Sequence, residues 1–142
     1  MFLLLLFAAL GTACADATVT PSGDMKIPKK EISSTAKFYP YKAGNVRMEV
    51  LALRAPDGTV RTAFNTCQVC YASGRGFYTQ KGDVLVCNNC GNRFQASQVE
   101  LVKGGCNPIP IAKDLKKEDA DTITIPKAVF EEAKPFFLKW KR

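Results

Sequence analysis

Cysteine supplies the strongest chemical signal in this sequence. Two Cys-x-x-Cys pairs, Cys67–Cys70 and Cys87–Cys90, are separated by sixteen residues, and Gly91 follows the second pair. In such a pair a tight turn directs two thiolates the same way, and glycine can adopt the positive φ that the turn needs. Two pairs that face each other place four sulfurs at the corners of a tetrahedron. The spacing therefore predicts a metal site made by Cys67, Cys70, Cys87 and Cys90.

The four thiolates fit two kinds of metal centre. This spacing is typical of structural zinc, but the same ligands hold iron–sulfur clusters. Cys106 follows Gly104 and Gly105, where the backbone can approach the site closely, so Cys106 is either a fifth ligand or a small buried side chain. Disulfides are disfavoured, because a Cys-x-x-Cys bridge closes a very short loop and nothing helical follows Cys67. Zinc and iron–sulfur both stay open at this point.

Histidine is absent from the chain, and this excludes several classes of site. There can be no Cys₂His₂ zinc site, no histidine-ligated Rieske cluster and no Ser–His or Cys–His catalytic pair. The formal net charge is +7, but the basic residues are scattered rather than arranged in a stripe, which argues against nucleic acid. An acidic partner, an anionic membrane surface or simply a soluble basic surface is consistent with this charge.

The N-terminus has the pattern of an export signal. An apolar run over residues 1–10 is followed by small residues, and residues 1–15 are predicted to be a signal peptide or lipoprotein signal. Ala13-Cys14-Ala15 fits a cleavage site that releases Asp16, whereas an approximate lipoprotein box ends at Cys14, which would then carry the lipid. Residues 16–35 are predicted to be a flexible tether, and residues 36–142 a Cys-knuckle metal-binding domain.

The domain is predicted to be mainly β. Strands are expected at residues 37–41, 45–54, 59–64, 76–79, 84–86, 98–102, 109–111 and 122–125, and a charged loop at 113–121. Lys127–Trp140 has helical spacing with a kink at Pro135, and it is interpreted as a short amphipathic helix on the sheet; the alternative is a membrane-surface helix.

Aromatic and basic residues surround the cysteines in the sequence. An apolar collar is expected from Phe64, Tyr71, Phe77 and Phe94, although each is equally well explained as ordinary core. A basic rim for an acidic partner is expected from Arg75, Lys81 and Arg93.

Five blocks of this sequence, in order, resemble the FtrD-like membrane iron–sulfur protein family. They are Phe38-Tyr39, the turn Ala55–Arg61, the first cysteine pair within Ala63–Tyr71 with Gly76-Phe-Tyr78 after it, the second pair within Val86–Phe94, and Gly104-Gly-Cys-Asn-Pro108. The resemblance implies a bacterial protein outside the cytoplasm or on the membrane, associated with iron transport and suspected electron transfer. It also implies iron–sulfur ligands at Cys67, Cys70, Cys87 and Cys90, with Cys106 as a candidate fifth. A looser similarity connects the knuckle region to Rieske domains.

The sequence thus predicts a small antiparallel β domain with two Cys knuckles, Rieske- or rubredoxin-like in the knuckle region, and a short C-terminal helix. The expected function is electron transfer through an iron–sulfur cluster in the service of iron uptake. Its expected partners are membrane iron-transport or redox components, with membrane association through the N-terminus. The alternative is a zinc-stabilised, non-redox module that docks a membrane transporter component. An electron carrier or binding module is favoured over a self-contained enzyme.

Overall fold

The computed structural model describes residues 20–21 and 23–141. The predicted signal at residues 1–15, with the candidate lipid-bearing Cys14, lies outside the described residues. Within them no helix is long and apolar enough to cross a bilayer.

The described chain forms eleven strands and one α-helix. The strands are β1 (Thr20–Pro21), β2 (Met25–Pro28), β3 (Lys37–Ala43), β4 (Val46–Arg54), β5 (Val60–Cys67), β6 (Tyr78–Lys81), β7 (Val84–Cys87), β8 (Arg93–Gln95), β9 (Pro108–Pro110), β10 (Lys117–Glu118) and β11 (Thr122–Ile125). The α-helix is α1 (Lys127–Ala133), and short 3₁₀ turns occur at Lys29–Glu31, Tyr71–Ser73, Ala96–Gln98, Lys113–Leu115 and Lys134–Phe137. The prediction of a mainly β domain with a short C-terminal helix is confirmed.

Three sheets make up the domain. The central sheet has the order β1-β3-β4-β5-β9, and the two smaller sheets have the orders β10-β11-β2 and β6-β7-β8. All neighbours are antiparallel except β1 and β3, which are parallel. The hairpin β6–β7 lies between the two cysteine pairs, so the hairpin predicted there is confirmed, and β8 follows the second pair.

Strands β4 and β5 are buried on both faces. Successive side chains of a strand alternate between its two sides, so neighbouring residues belong to different cores. Val50 lies opposite Phe64 and Leu51 opposite Ala63. Val50 and Phe64 belong to a core shared with β2, β11 and α1. Leu51 and Ala63 belong to a second core, shared with the sheet β6-β7-β8 and the cysteines. The central sheet therefore lies between two apolar layers, and the metal-ligating candidates belong to the second.

Two segments differ from the sequence predictions. The predicted tether of residues 16–35 contains β2, which pairs with β11 and buries Met25 and Ile27. The alternation of apolar residues in β2 is short and is flanked by Pro, Gly and Lys, so the sequence pattern does not indicate a strand. Pairing with β11 is what holds this segment extended. The strand predicted at residues 98–102 is wrong: a 3₁₀ turn ends at Gln98, and Glu100 has a positive φ of 71°. Residues 98–102 are largely apolar, but their backbone forms turns and makes no pairing with a neighbouring strand.

The C-terminal segment packs on the domain as predicted. α1 ends at Ala133, and a 3₁₀ turn containing Pro135 follows, because proline cannot continue the helical hydrogen bonding. Trp140 is buried, and its Nε1–H donates a 2.7 Å hydrogen bond to the Asn65 carbonyl. The alternative of a membrane-surface helix is therefore wrong for Trp140, whose ring belongs to the core.

Candidate metal centre

The first knuckle begins where β5 ends. A register shift between Phe64 and Cys67 interrupts the pairing of β5 with β9 and places Cys67 in the core beside the sheet β6-β7-β8. The Cys70 amide donates to Cys67 Sγ at 3.3 Å, which is the amide-to-sulfur hydrogen bond expected of a knuckle. The Cys67 amide donates to the Gly76 carbonyl at 2.6 Å. The loop after Cys70 thus returns to the knuckle that begins it.

Gly76 is needed for that return. A Cβ atom at this position would lie 2.5 Å from the Cys70 carbonyl carbon and 2.8 Å from the Tyr71 amide nitrogen. These are backbone atoms, so a side chain at residue 76 would push the knuckle itself. Glycine here permits the close approach that shapes the first knuckle.

The second knuckle begins where β7 ends. The Gly91 amide donates to the Cys87 carbonyl at 2.9 Å, and the Cys87 amide donates to the Asn92 carbonyl at 2.9 Å. Gly91 has a φ of 73°, the positive value that the sequence predicted for this turn. Cys87 is buried, whereas Cys90 is exposed.

A third loop closes the site between the two knuckles. Gly104 and Gly105, with φ of 90° and 75°, deliver Cys106 to the other cysteines. The Gly104 amide donates to Gln68 Oε1 in the first knuckle at 2.5 Å. Asn92, in the second knuckle, donates through Nδ2 to the Cys106 carbonyl at 2.9 Å. The Cys106 loop is therefore hydrogen-bonded to both knuckles.

Five thiols converge at this point. The sulfurs of Cys67, Cys70, Cys87 and Cys106 all lie within 4.8 Å of one another. The sulfur of Cys90 lies 3.1 Å from that of Cys106, at the exposed edge of the group. The four sulfurs that lie mutually close thus include Cys106 in the place that the sequence predicted for Cys90, and Cys90 lies at the edge of this group.

The thiols differ in how readily they lose a proton. Burial raises the pKa of Cys67, but hydrogen bonds from Tyr78 and from the Cys70 and Val69 amides outweigh it, so the pKa lies below its usual value. The hydrogen bond from Cys106 lowers the pKa of Cys90 to about 7. Burial raises the pKa of Cys70 to about 11 and also raises the pKa of Cys106. A cation bound to the group would favour the thiolate form of all of them.

Tyr78 is a site residue that the sequence analysis missed. Its ring is buried, and its hydroxyl lies 3.7 Å from Cys106 Sγ; it also hydrogen-bonds Cys67. Burial raises the pKa of Tyr78, so the hydroxyl keeps its proton. The signal was the register of the β6–β7 hairpin: a two-residue turn at Gly82-Asp83 sets Tyr78 opposite Cys87. Residues directly opposite in an antiparallel pair share a face of the sheet.

The predicted collar and rim are only partly realised. Phe94 shares the core of Cys67 and Cys87. Phe64 instead packs on the opposite face of the central sheet, 5.6 Å from Phe130 between ring centroids. Tyr71 and Phe77 contact Phe136 and Trp140 of the C-terminal segment. Arg75 and Arg93 are exposed in the cysteine loops, whereas Lys81 lies at the far end of β6 from Tyr78.

The donor set fits a thiophilic metal. All candidate ligands are sulfur, and histidine is absent from the sequence. Four sulfurs bound tetrahedrally to one ion at about 2.3 Å would lie roughly 3.8 Å apart, close to the spread observed here. Cys67 and Cys87 are buried, and Cys90 gives the group one exposed edge. The residues present can therefore hold a metal centre that reaches the surface on one side.

Comparison with known proteins agrees with this chemistry. The family model of membrane iron–sulfur containing proteins, FtrD-like, matches residues 32–137, which include both knuckles, the Cys106 loop and α1. No curated protein and no solved structure matches the chain. The resemblance seen in the sequence is thus confirmed over most of the chain, which belongs to the FtrD-like family of membrane iron–sulfur containing proteins.

Proposed function

We propose that this chain is an extracytoplasmic electron-transfer protein, associated with iron uptake, whose cysteine cluster holds an iron–sulfur centre. The observation that carries the proposal is the five-thiol cluster itself, with two buried ligands and one exposed edge at Cys90. The family description supports iron–sulfur as the cofactor. When bound, such a centre supplies reversible one-electron chemistry at a potential set by charge, hydrogen bonding and solvent exposure.

The surrounding residues provide what an electron carrier needs. Cys67 and Cys87 are the core ligands, and their burial excludes water from one side of the centre. Tyr78 and the Cys70 amide direct hydrogen bonds at sulfur, which stabilises negative charge there. Cys90 lies at the surface, where a partner's redox centre can approach. The chain thus holds, orients and partly shields the centre, and it leaves an exposed edge at Cys90.

One observation favours a second candidate, a single zinc ion in a non-redox module that docks a transporter component. The spread of four sulfurs, within 4.8 Å, is close to the edge of a tetrahedron around one ion. A zinc site of this kind is closed by four protein ligands and contributes to folding. In that case the fifth thiol would lie outside the coordination shell.

Metal analysis of anaerobically isolated protein tests the two candidates. We expect iron with acid-labile sulfide, visible absorbance and a reversible one-electron couple, since zinc is colourless and redox-inactive. One zinc per chain with no iron and no redox wave, from a host able to build clusters, would leave only the zinc module.

Ligand variants identify the coordinating set. Cys87→Ser removes a buried ligand, so we expect loss of metal and of stability, because folding and ligation are coupled in small metal-built domains. Cys90→Ser and Cys106→Ser, compared side by side, show which of these adjacent thiols completes the set. Full metal content and unchanged melting in Cys87→Ser would contradict the site.

Attachment to the membrane is proposed to occur through the N-terminus, with Cys14 as the lipid-bearing residue and iron-transport or redox components as neighbours. The approximate lipoprotein box supports this. Cys14→Ser should release the protein from the membrane fraction with its metal intact. A native mature chain that begins at Asp16 without lipid, shown by intact mass, would contradict the anchor.

A further inference from the structure

Exposed apolar side chains concentrate beside the metal centre. Four large apolar side chains are exposed in the described part of the chain, and three of them lie in the cysteine loops: Val69 is 63% exposed, Leu101 67% and Val102 38%. The fourth, Leu138, is 56% exposed and belongs to the C-terminal segment. Val69 lies within the first knuckle, and Leu101 and Val102 precede the glycines that deliver Cys106. The Gly104 amide bonds the Gln68 side chain, so these two loops lie side by side. An apolar patch therefore borders the exposed edge of the thiol cluster.

The same loops carry only positive charge. Residues 68–76, 88–93 and 101–107 contain Arg75, Arg93 and Lys103 and no Asp or Glu. All three cations are exposed, and none has a carboxylate partner within the described part of the chain. The neighbouring Glu100 does not change this, because its carboxylate is buried in an ion pair with Lys116.

We propose that this surface, called the knuckle face and made by the exposed residues Val69, Leu101, Val102, Arg75, Arg93 and Lys103 of the three cysteine loops, docks an acidic protein domain that carries its own redox centre. An apolar middle with a charged rim is the anatomy of a protein interface, and complementary charge steers encounter and sets orientation. One electron passes from the reduced centre of one protein to the oxidised centre of the other, and no bond forms or breaks. The inference rests on the proposed function and names its partner class.

Three exposed apolar side chains and three cations suit a small protein interface better than a bilayer surface. Membrane-surface binding uses an extended amphipathic face, and the aromatic residue that could anchor one, Trp140, is buried elsewhere in the domain. An anionic membrane is therefore the competing outcome in the test.

Binding is tested first, without reliance on redox chemistry. The metal-loaded protein, labelled with ¹⁵N, is titrated at low salt with a synthetic peptide in which glutamate alternates with leucine. We expect amide shifts confined to the knuckle face and reversed by salt. Arg93→Glu and Lys103→Glu should each weaken binding about fivefold, the upper range for a surface charge pair. Lys117→Glu, an exposed lysine of β10, is the matched control and should have no effect.

The apolar part has its own control. Leu101→Ser should weaken binding of the glutamate–leucine peptide but leave an all-glutamate peptide unchanged, because only the former can bury the exposed side chain. Equal shifts around Lys117 and the knuckle face would overturn the proposal, since the attraction would then be nonspecific. Binding to phosphatidylglycerol vesicles without binding to either peptide would also overturn it, in favour of a membrane.

Electron exchange provides the second arm. We expect the reduced protein to react faster with the anionic complex ferricyanide than with a cationic cobalt phenanthroline complex, and Arg93→Glu with Lys103→Glu to reverse the order. The same order in parent and variant would place the electron's exit elsewhere and overturn the proposal. A protein that holds only zinc would give no reaction in this arm and refute the proposed function, whereas the peptide titration would still decide the knuckle face.

Discussion

A buried ion pair anchors the loop that carries Cys106. Lys116 Nζ lies 2.5 Å from Glu100 Oε2, and the two side chains are 2% and 8% exposed. Thr62 completes the group: its amide donates to Glu100 Oε2 at 3.0 Å, and its hydroxyl accepts from Lys116 Nζ at 2.9 Å. Glu100 also has the positive φ of 71°, which costs a non-glycine residue free energy that the ion pair must offset.

Lys116→Met should therefore be strongly destabilising. It leaves the Glu100 carboxylate buried with one amide donor, and removing one partner of a buried pair costs about 3–5 kcal/mol. For a domain of this size that lowers the melting temperature by roughly 10–20 °C. Lys116→Met with Glu100→Gln should recover much of the loss, because the amide oxygen can still accept from Thr62 and no charge stays buried.

Urea unfolding of the metal-loaded protein measures these differences, with Lys134→Met as the control. Lys134 pairs with Glu131 on the surface, so its loss should cost less than about 1 kcal/mol. Metal content is measured in parallel, because a loosened Glu100 releases the loop that ends in Cys106. The reasoning would be refuted if the free energy of unfolding of Lys116→Met lay within about 1 kcal/mol of the parent's. A double variant less stable than Lys116→Met alone would also refute it.

Three further predictions concern single residues. Gly76→Ala should lower both stability and metal content, since its Cβ would meet the Cys70 backbone at 2.5 Å; normal metal content would show that the loop moves freely. Tyr78→Phe should shift the reduction potential to more negative values in voltammetry, because a hydrogen bond to sulfur is lost, whereas Tyr39→Phe, whose hydroxyl has no partner among the described residues, should not; equal potentials would contradict the role of Tyr78. Hydrogen bonds from Thr59 lower the pKa of Asp57 to about 2, so in an NMR titration the Asp57 carboxylate should stay ionised until the pH falls toward that value. The stability that these hydrogen bonds give the turn should be lost only below the ordinary pKa of an aspartate. An unchanged Asp57 titration in a Thr59→Ala variant would count against this explanation.

Features with local signals were predictable from the sequence. The turn Ala55-Pro-Asp-Gly, the knuckle glycine Gly91 and the division of the last helix at Pro135 each follow from backbone preferences of a few residues. The grouping of the two cysteine pairs also follows from spacing.

Features that depend on distant partners were not predictable in the same way. Whether Cys90 or Cys106 lies deeper in the cluster depends on distant partners of the Cys106 loop: Gln68 accepts a hydrogen bond from the Gly104 amide, and Asn92 donates one to the Cys106 carbonyl. β2 exists because β11 pairs with it, and its two buried apolar residues, Met25 and Ile27, give no hint of the partner. Tyr78 required the hairpin register: the strands expected at residues 76–79 and 84–86 put Tyr78 opposite Leu85, whereas the two-residue turn puts it opposite Cys87.

The cysteines belong to three separate loops that leave two different sheets, and this arrangement has a consequence for quality control. Cys67 ends a strand of the central sheet, Cys87 ends a strand of the sheet β6-β7-β8, and Cys106 lies in the loop before β9. A bound centre would tie these loops together, and the same loops form the outward surface. We expect an empty chain to present that surface unassembled, so a partner would distinguish loaded carriers from empty ones. If metal-free protein fails to compete with loaded protein for the glutamate–leucine peptide, binding at this surface distinguishes loaded carriers from empty ones.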